Sequence, residues 1–528
     1  MDKEFCLLDE PWIKVLDEQN VTREVSLIDI FTNAHRYKRL AGETVTQDAA
    51  ILRLLLAVAI TVFYRYRADG CEDWVLEYDD PEEEILNRWS EYWDSGAFNA
   101  NVFQEYLETY RERFYLFHPE TPFWQVADLE DGLSYTIINL YGNIKESKNQ
   151  GTKHHFHMTD GKYVENISFA ETARWLVFNN AYSKTIKYKD GKSLKNAKVG
   201  RVGELGLIVA DSDNMYKLLL LNLCALKNGE FAWKEPRPIW EVEYKTEVGH
   251  EIIAPDNLPE LYTIQSRRIR LNMSNGKIIG YMATCGNFYS KENDPTEQMT
   301  LLEYDKNNDI IPRKHNMNME VWEEFTSLLP IIDNIKAGLV FWLERLTEES
   351  LIENRIVTFQ MIGLKYDKDY RFIYENEINQ SLSLSLGLLN SVGKVWVGLI
   401  TDQINKCKEV AHKNFYEFAH KLALHLYKDD KTVKFKTEKI KEILEVEYYF
   451  KIDKAFREWL ISIEPSSSKR NIKEREWQLT SSQTAEAIVR NYIASLSPQF
   501  TMAGAKAFVV FKKELYKIYP NNLGEGGE

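Results

Sequence analysis

Cysteine is scarce in this chain. Five occur in 528 residues, at positions 6, 71, 224, 285 and 407, and none belongs to a CxxC pair. An odd, scattered set offers no disulfide framework and no zinc-ribbon spacing, and it fits a reducing compartment. Long apolar runs are also missing. The longest, LLLAVAITVFY from Leu54 to Tyr64, falls short of the roughly 20 residues that span a bilayer. The opening MDKEFCLLDEPW has no basic region followed by an apolar one, so no signal peptide is expected. The expectation is a cytoplasmic protein without a membrane partner. Nucleotide-binding signatures are absent too. Gly191-Lys192-Ser193 has Ile186 where a P-loop needs glycine, and GRVGELG spaces its glycines at 200, 203 and 206 rather than as GxGxxG. There is no GxSxG elbow and no HExxH. His154, His155 and His157 form one histidine cluster, but no ligand-type partner stands beside them, so no metal or other cofactor is expected.

What is present is acid, with one exception. The chain carries 80 Asp+Glu against 66 Lys+Arg, a net charge of −14. Such a surface repels phosphate and excludes a protein that coats nucleic acid indiscriminately. Yet KTIKYKDGKSLKNAKVGR, Lys184 to Arg201, holds six lysines, one arginine and one acid, a local charge of 7 − 1 = +6. The preceding loop adds Lys145, Lys148 and Lys153. Lysines together with backbone N–H groups make a phosphate-tracking surface. Gly191, Gly200 and Gly203 are read as places where backbone approaches a ligand closely. A solvated charged loop is the competing reading. The sign reversal against the whole chain favours nucleic-acid contact.

The apolar pattern predicts an α+β protein of two domains: a large mixed one over 1–385 and a C-terminal helical bundle of four-helix type over 386–528. Thr46 is the expected N-cap of a long core helix running through LLLAVAITVFY. Residues 139–166 read as a long loop, and Ser168-x-x-Glu171 as a capping box opening a helix to about Tyr182. Asn275-Gly276 between two apolar runs signals a hairpin. SRRIR places Arg268 and Arg270 on one face of a strand and Arg267 on the other, as a salt-bridged core edge or a phosphate contact. In GLKYDKDYRFI, the Asp-Lys-Asp turn lies between Tyr366 and Tyr370, either of which is able to stack on a base.

The order of segments FCLLDEPWIKV…VSLIDIF, TQDAAILRLLLAVAI, HPETPFWQV, SFAETARWLVFNNAY, LLLLNL and YTIQSRRIRL resembles the CasA family, the large subunits of type I-E CRISPR Cascade complexes. The resemblance covers nearly the whole chain. It implies a non-catalytic subunit of an RNA-guided complex whose partners are the other Cascade subunits, the CRISPR guide RNA, double-stranded target DNA and a helicase–nuclease recruited after target binding. Such subunits inspect duplex DNA for a short adjacent motif, the PAM, mainly from the minor groove, while guide pairing reads the sequence. By this resemblance Asn139 to His157, with Phe156, faces the guide RNA end or a neighbouring subunit. The glycine loop falls within Lys184 to Gly203, with Lys184, Lys187, Lys192, Lys195, Lys198, Gly200, Arg201 and Gly203 as its nucleic-acid residues. Lys277 or Lys291 stands for the minor-groove lysine. Lys368, Asp369 and Tyr370 stand for the wedge that parts the strands. The chain departs from relatives that carry Asn or Gln at that wedge, and Asp367 and Asp369 repel phosphate. Two rival readings differ in class: a carboxylate-dependent hydrolase of a carbohydrate polymer, which requires two inward carboxylates in a deep cleft, and a scaffold without nucleic-acid contact.

Overall fold

A helix that is apolar on every side has to be covered on every side. In the computed structural model that helix runs Val45–Arg65 and is buried along almost its whole length. By length and composition it is long and apolar enough to cross a membrane, but 89% of its most apolar window is buried inside the protein. The structure describes residues 3–142, 166–190, 193–242, 251–252, 255–289, 295–316, 319–330, 335–352, 356–366, 373–427, 429–466 and 468–520. The N-cap of the helix is Thr44, not Thr46: the Thr44 hydroxyl accepts from Gln47 N at 3.1 Å. Thr46 lies inside the first turn, where its hydroxyl donates to the Glu377 carboxylate.

Midway along the helix, Arg53 forms a two-pronged ion pair with Glu297, at 2.8 and 2.9 Å, and lies 4.2 Å from the Tyr262 ring centroid. Both partners are buried. Burial pushes the Glu297 carboxyl up, and the Arg53 guanidinium outweighs it, leaving the carboxyl below its ordinary range. A bidentate geometry of this kind offsets much of the desolvation cost of both charges.

Around the helix the first unit, Met1–Asn316 with Asn334–Ile352 and Thr358–Ser381, builds small sheets. Strand Ile13–Asp17 pairs with Thr22–Val25 and Tyr37–Leu40. Strand Lys277–Cys285 is the middle of a second sheet, between Arg267–Ser274 and Leu133–Thr136. Its hairpin turn is Asn275-Gly276, with φ of 52° and 72°. Two left-handed residues in a row suit a tight hairpin, and Asn-Gly adopts them at little cost. A third sheet orders Ile373–Ser385, Ile356–Tyr366 and Leu207–Asp211. Helix Phe169–Tyr182 begins where the sequence predicts: the Ser168 hydroxyl accepts from Glu171 N. LYTIQSRRIRLNM reads in the sequence as one candidate strand, and the structure divides it. Leu258–Thr263 is a short helix capped by Asn257, and the strand begins only at Arg267.

The second unit is Leu382–Glu528 with Met317–Asp333 and Glu353–Val357. Helix Lys394–Glu409 passes through one wide π turn, Val410–Asn414, into helix Phe415–Leu426. Long helices Asp430–Ile461, Arg470–Ala494 and Thr501–Ile518 follow. Leu444, Tyr448, Ile452 and Phe456 recur every four residues and are all buried. Tyr448 meets the Phe415 ring edge-on at 5.4 Å, and Phe415 stacks on Phe511 at 6.0 Å. Asp430–Ile461 is one unbroken helix of 32 residues, since no breaker lies within it. Residues 317–333 join this unit through Trp322, whose ring lies 4.8 Å from Phe456. A boundary drawn from periodicity alone passes over that segment.

The Arg53–Glu297 pair yields a direct test. Glu297→Gln leaves a guanidinium in the interior without its carboxylate. Unfolding free energy is expected to fall by about 3–5 kcal/mol, read as a lower urea midpoint at unchanged m-value. A fall below about 1 kcal/mol would mean that the pair does not hold the helix in place.

Candidate nucleic-acid interface

The cation-rich segment folds as an antiparallel ribbon. Strands Lys187–Asp190 and Ser193–Asn196 pair in register from Lys187 opposite Asn196 to Asp190 opposite Ser193. Opposed residues share a face, so Lys187 and Lys195 point to opposite sides of the ribbon. Lys187, Lys195 and Lys198 are exposed, and Lys184 is half-buried. Leu194 is 64% exposed at the ribbon's outer end.

The base of the ribbon is gripped from inside. Arg267, itself buried, donates to Ser266 O at 2.7 Å, to Lys184 O at 3.2 Å and to Lys198 O. Its pKa is pulled down to about 10, chiefly by burial. The sequence suggests a salt bridge or a phosphate for this arginine. The structure gives it neither: its partners are main-chain carbonyls at the two ends of the basic segment. Two further bonds close the base, Ala197 N to Ile186 O and Gly200 N to Ser183 O, both 2.8 Å.

The glycines also need correction. A Cβ on Gly200 would lie 2.5 Å from Ala181 O, and one on Gly203 would lie 2.4 Å from the Tyr366 hydroxyl. Both positions are buried. The groups approaching these glycines are the protein's own, at the end of helix Phe169–Tyr182 and at Tyr366, and not a ligand's. Arg201 turns inward as well. Two of its guanidinium nitrogens are buried, and its charge lies 5.8 Å from the Tyr289 ring centroid. Tyr366, read as a base-stacking residue, spends its hydroxyl on Tyr182 O at 2.6 Å.

These anchors bring distant segments together. Tyr366 ends the strand that leads into residues 367–372, and Tyr182 ends the helix that leads into the ribbon. Their bond ties the two starting points. Lys198 lies over the Phe288 ring at 5.3 Å, two residues before 290–294. Lys277 at the Asn-Gly hairpin donates to Asn166 at 2.8 Å, and Tyr281 of the same strand donates to Asn139 O at 3.1 Å. One strand therefore holds both flanks of residues 143–165. Phe156, Lys192, Lys291, Lys368, Asp369 and Tyr370 lie outside the described residues, as do His154, His155 and His157.

A carboxylate from the same hairpin as Tyr366 reaches the central helix. Glu377 accepts from Val45 N and Thr46 N, both at 3.1 Å, at the positive end of the helix dipole. Nearby Asp48 accepts from Gly42 N at 2.8 Å. Burial, aided by the Glu43 and Glu377 charges, pushes the Asp48 carboxyl up to about 7. Glu43 itself is held below its usual range: burial pushes it up, and Arg174 and Lys14 outweigh that. Glu377 does not stand out in the sequence by motif, and SRRIR marks Arg267 without revealing its partners, which are main-chain carbonyls.

The family model for CRISPR-associated protein Cse1 matches residues 7–488. The chain belongs to the Cse1 family. The curated CasA/Cse1 protein of Thermus thermophilus is 27% identical over 377 residues, 69% of this chain and 68% of its own. Among solved structures, Thermobifida fusca Cse1 superposes with a TM-score of 0.81 at 23% identity, covering 98% of each chain. Thermus thermophilus CasA gives 0.72 at 21% identity, covering 98% of this chain and all of the other. A chain of a CRISPR RNA-guided surveillance complex gives 0.70 at 13% identity, with 98% and 100% coverage. At these identities the structural likeness speaks for the Cse1 fold, and the match to the family model for membership.

The ribbon's anchorage predicts that Arg267→Met loosens it locally. Hydrogen exchange at Ala197 and Gly200 is expected to accelerate roughly tenfold, equivalent to about 1.4 kcal/mol of local stability. The second unit's exchange should stay as it was. An unchanged rate at those two amides would mean that Arg267 does not hold the ribbon.

Asp48 gives a pH test. Its folded-state pKa of about 7 lies above the ordinary value of 3.8, so the native state binds this proton more tightly than the unfolded chain. Its contribution to stability is full below pH 3.8 and is lost as pH rises toward 7. Asp48→Asn keeps an acceptor for Gly42 N and is expected to flatten that decline. A Tm-versus-pH curve parallel to wild type across this window would overturn the assignment.

Proposed function

We propose that this protein is the large, non-catalytic subunit of a type I-E RNA-guided DNA surveillance complex, and that its basic ribbon meets target duplex beside the PAM. The exposed lysines 187, 195 and 198 contact phosphates and set register, leaving sequence to guide pairing and to groove contacts. Residues 367–372 act as the wedge that parts the strands. Lys277 or Lys291 enters the minor groove, and residues 143–165 with Phe156 face the guide RNA end or a neighbouring subunit. The acidic remainder suppresses stray binding and leaves other faces for the remaining Cascade subunits and for the helicase–nuclease, in the cytoplasm.

One observation carries this reading. The ribbon and the strand leading to residues 367–372 are tied at their bases by the Tyr366–Tyr182 bond, while Lys198 rests on the segment leading to 290–294. Described residues that directly precede segments far apart in sequence thereby meet at one place. A tract of cations at that place on a chain of net charge −14 concentrates attraction for a polyanion there.

The assembled complex carrying Lys187→Ala, Lys195→Ala and Lys198→Ala tests it by gel shift over a range of salt. Removing one lysine–phosphate pair lowers the slope of log K against log salt by about 0.9. Three such pairs are expected to vanish and the slope to fall by about 2.7. An unchanged slope and affinity would remove the ribbon from the DNA interface.

A further inference from the structure

A recess without lysines lies at Arg268 and Asn287. It holds about 100 Å³ of space that water can enter, the scale of a cavity that takes up a single aromatic ring. Its floor is aromatic: Phe114, Phe123, Trp124 and Trp240 are all buried, with Arg268 buried among them. Phe123 and Trp124 meet at right angles, 4.9 Å apart, and Phe114 lies 5.4 Å from Trp240. The rim is polar and half-exposed, with Arg113, Gln265 and Asn287. No acid lines it among the described residues.

Two polar atoms on its walls lack partners. Trp124 is only 6% exposed, and among the described residues its indole N–H finds no acceptor and Asn287 Oδ1 no donor. Trp124 also has φ of 51°, a left-handed backbone at a bulky side chain. Strain of that kind persists where the surrounding structure imposes it, and it clusters at ligand sites. Ordered water alone would satisfy the two atoms but gains nothing from four aromatic rings. A flat ligand with apolar faces and a donor and an acceptor on its edges uses all of these features.

Asn287 supplies the connection. It also lines the recess on the ribbon side, with Lys198, Arg201 and Phe288. A strand whose phosphates lie along Lys198 has only to turn one unpaired base past Asn287 to reach the aromatic floor. We propose that this recess captures a single unstacked nucleobase, its ring against Trp240 and its edge on the Trp124 N–H and the Asn287 side chain. The proposal rests on the nucleic-acid reading of the ribbon. Base–aromatic stacking provides affinity, and the two polar atoms provide preference among bases.

Photo-crosslinking of the full chain tests it, using single-stranded DNA and RNA of one sequence carrying 5-iodouridine. The crosslink is expected on Trp124, Trp240 or Phe114, and the oligonucleotide with the higher yield identifies the source of the base. Trp124→Phe keeps an aromatic ring and removes the N–H, and Asn287→Ala alters only the rim. Each is expected to lower apparent affinity about fivefold to tenfold with the salt slope unchanged, because every phosphate keeps its partner. Asn287→Ala should melt like wild type, so its weaker binding does not come from unfolding. Crosslinks confined to the ribbon, or full affinity in Asn287→Ala, overturn the pocket while the lysine slope test stands. Absence of crosslinks together with an unchanged lysine slope overturns both readings.

Discussion

A guanidinium buried without a carboxylate is costly unless hydrogen bonds replace its water. Arg267 meets that condition with three main-chain carbonyls. Two of them belong to Lys184 and Lys198, at opposite ends of the most basic stretch in the chain. The arrangement orients carbonyl dipoles toward an interior cation and leaves the lysine side chains outside. A ribbon that would otherwise repel itself is closed at its base by a charge of the same sign, because that charge addresses the backbone and not the side chains. The placement of the candidate interface depends on this contact.

Close packing completes the base. Gly200 and Gly203 admit the end of helix Phe169–Tyr182 and the Tyr366 hydroxyl into spaces that a Cβ would fill. The loops stand on a rigid support made of a helix end, a strand end and a sheet. That is the usual division of labour between scaffold and binding loop. The central helix extends the support inward, held by the Arg53–Glu297 pair in its middle and by Glu377 at its N-terminus.

Much of the fold was legible because it is governed by periodicity and local chemistry. The C-terminal helices, the Ser168 cap and the Asn275-Gly276 turn each follow from a few neighbouring residues. Thr44 was missed because a cap is set by where the backbone leaves the extended region, two residues before the apolar pattern begins. The helix at Leu258–Thr263 was missed because six residues are too few to display a period. At the candidate site, the charge reversal marked an exposed ribbon, and lysines 187, 195 and 198 stand on its surface. The roles given to Gly200, Gly203, Arg201 and Tyr366 were not legible. A small residue admits any backbone, and an aromatic or an arginine serves either face of a surface equally well.

The sequence by itself determined the types of the longer elements, the family resemblance and the location of the cations, since each rests on residue identity or on spacing along the chain. Only the tertiary structure decided which groups fill the glycine gaps, which carbonyls occupy Arg267, and which distant loops share a base. The Arg267–Lys198 and Tyr366–Tyr182 partners lie 69 and 184 residues apart. A main-chain carbonyl carries no mark of its own in a sequence, so contacts of this kind exist only once the chain has folded.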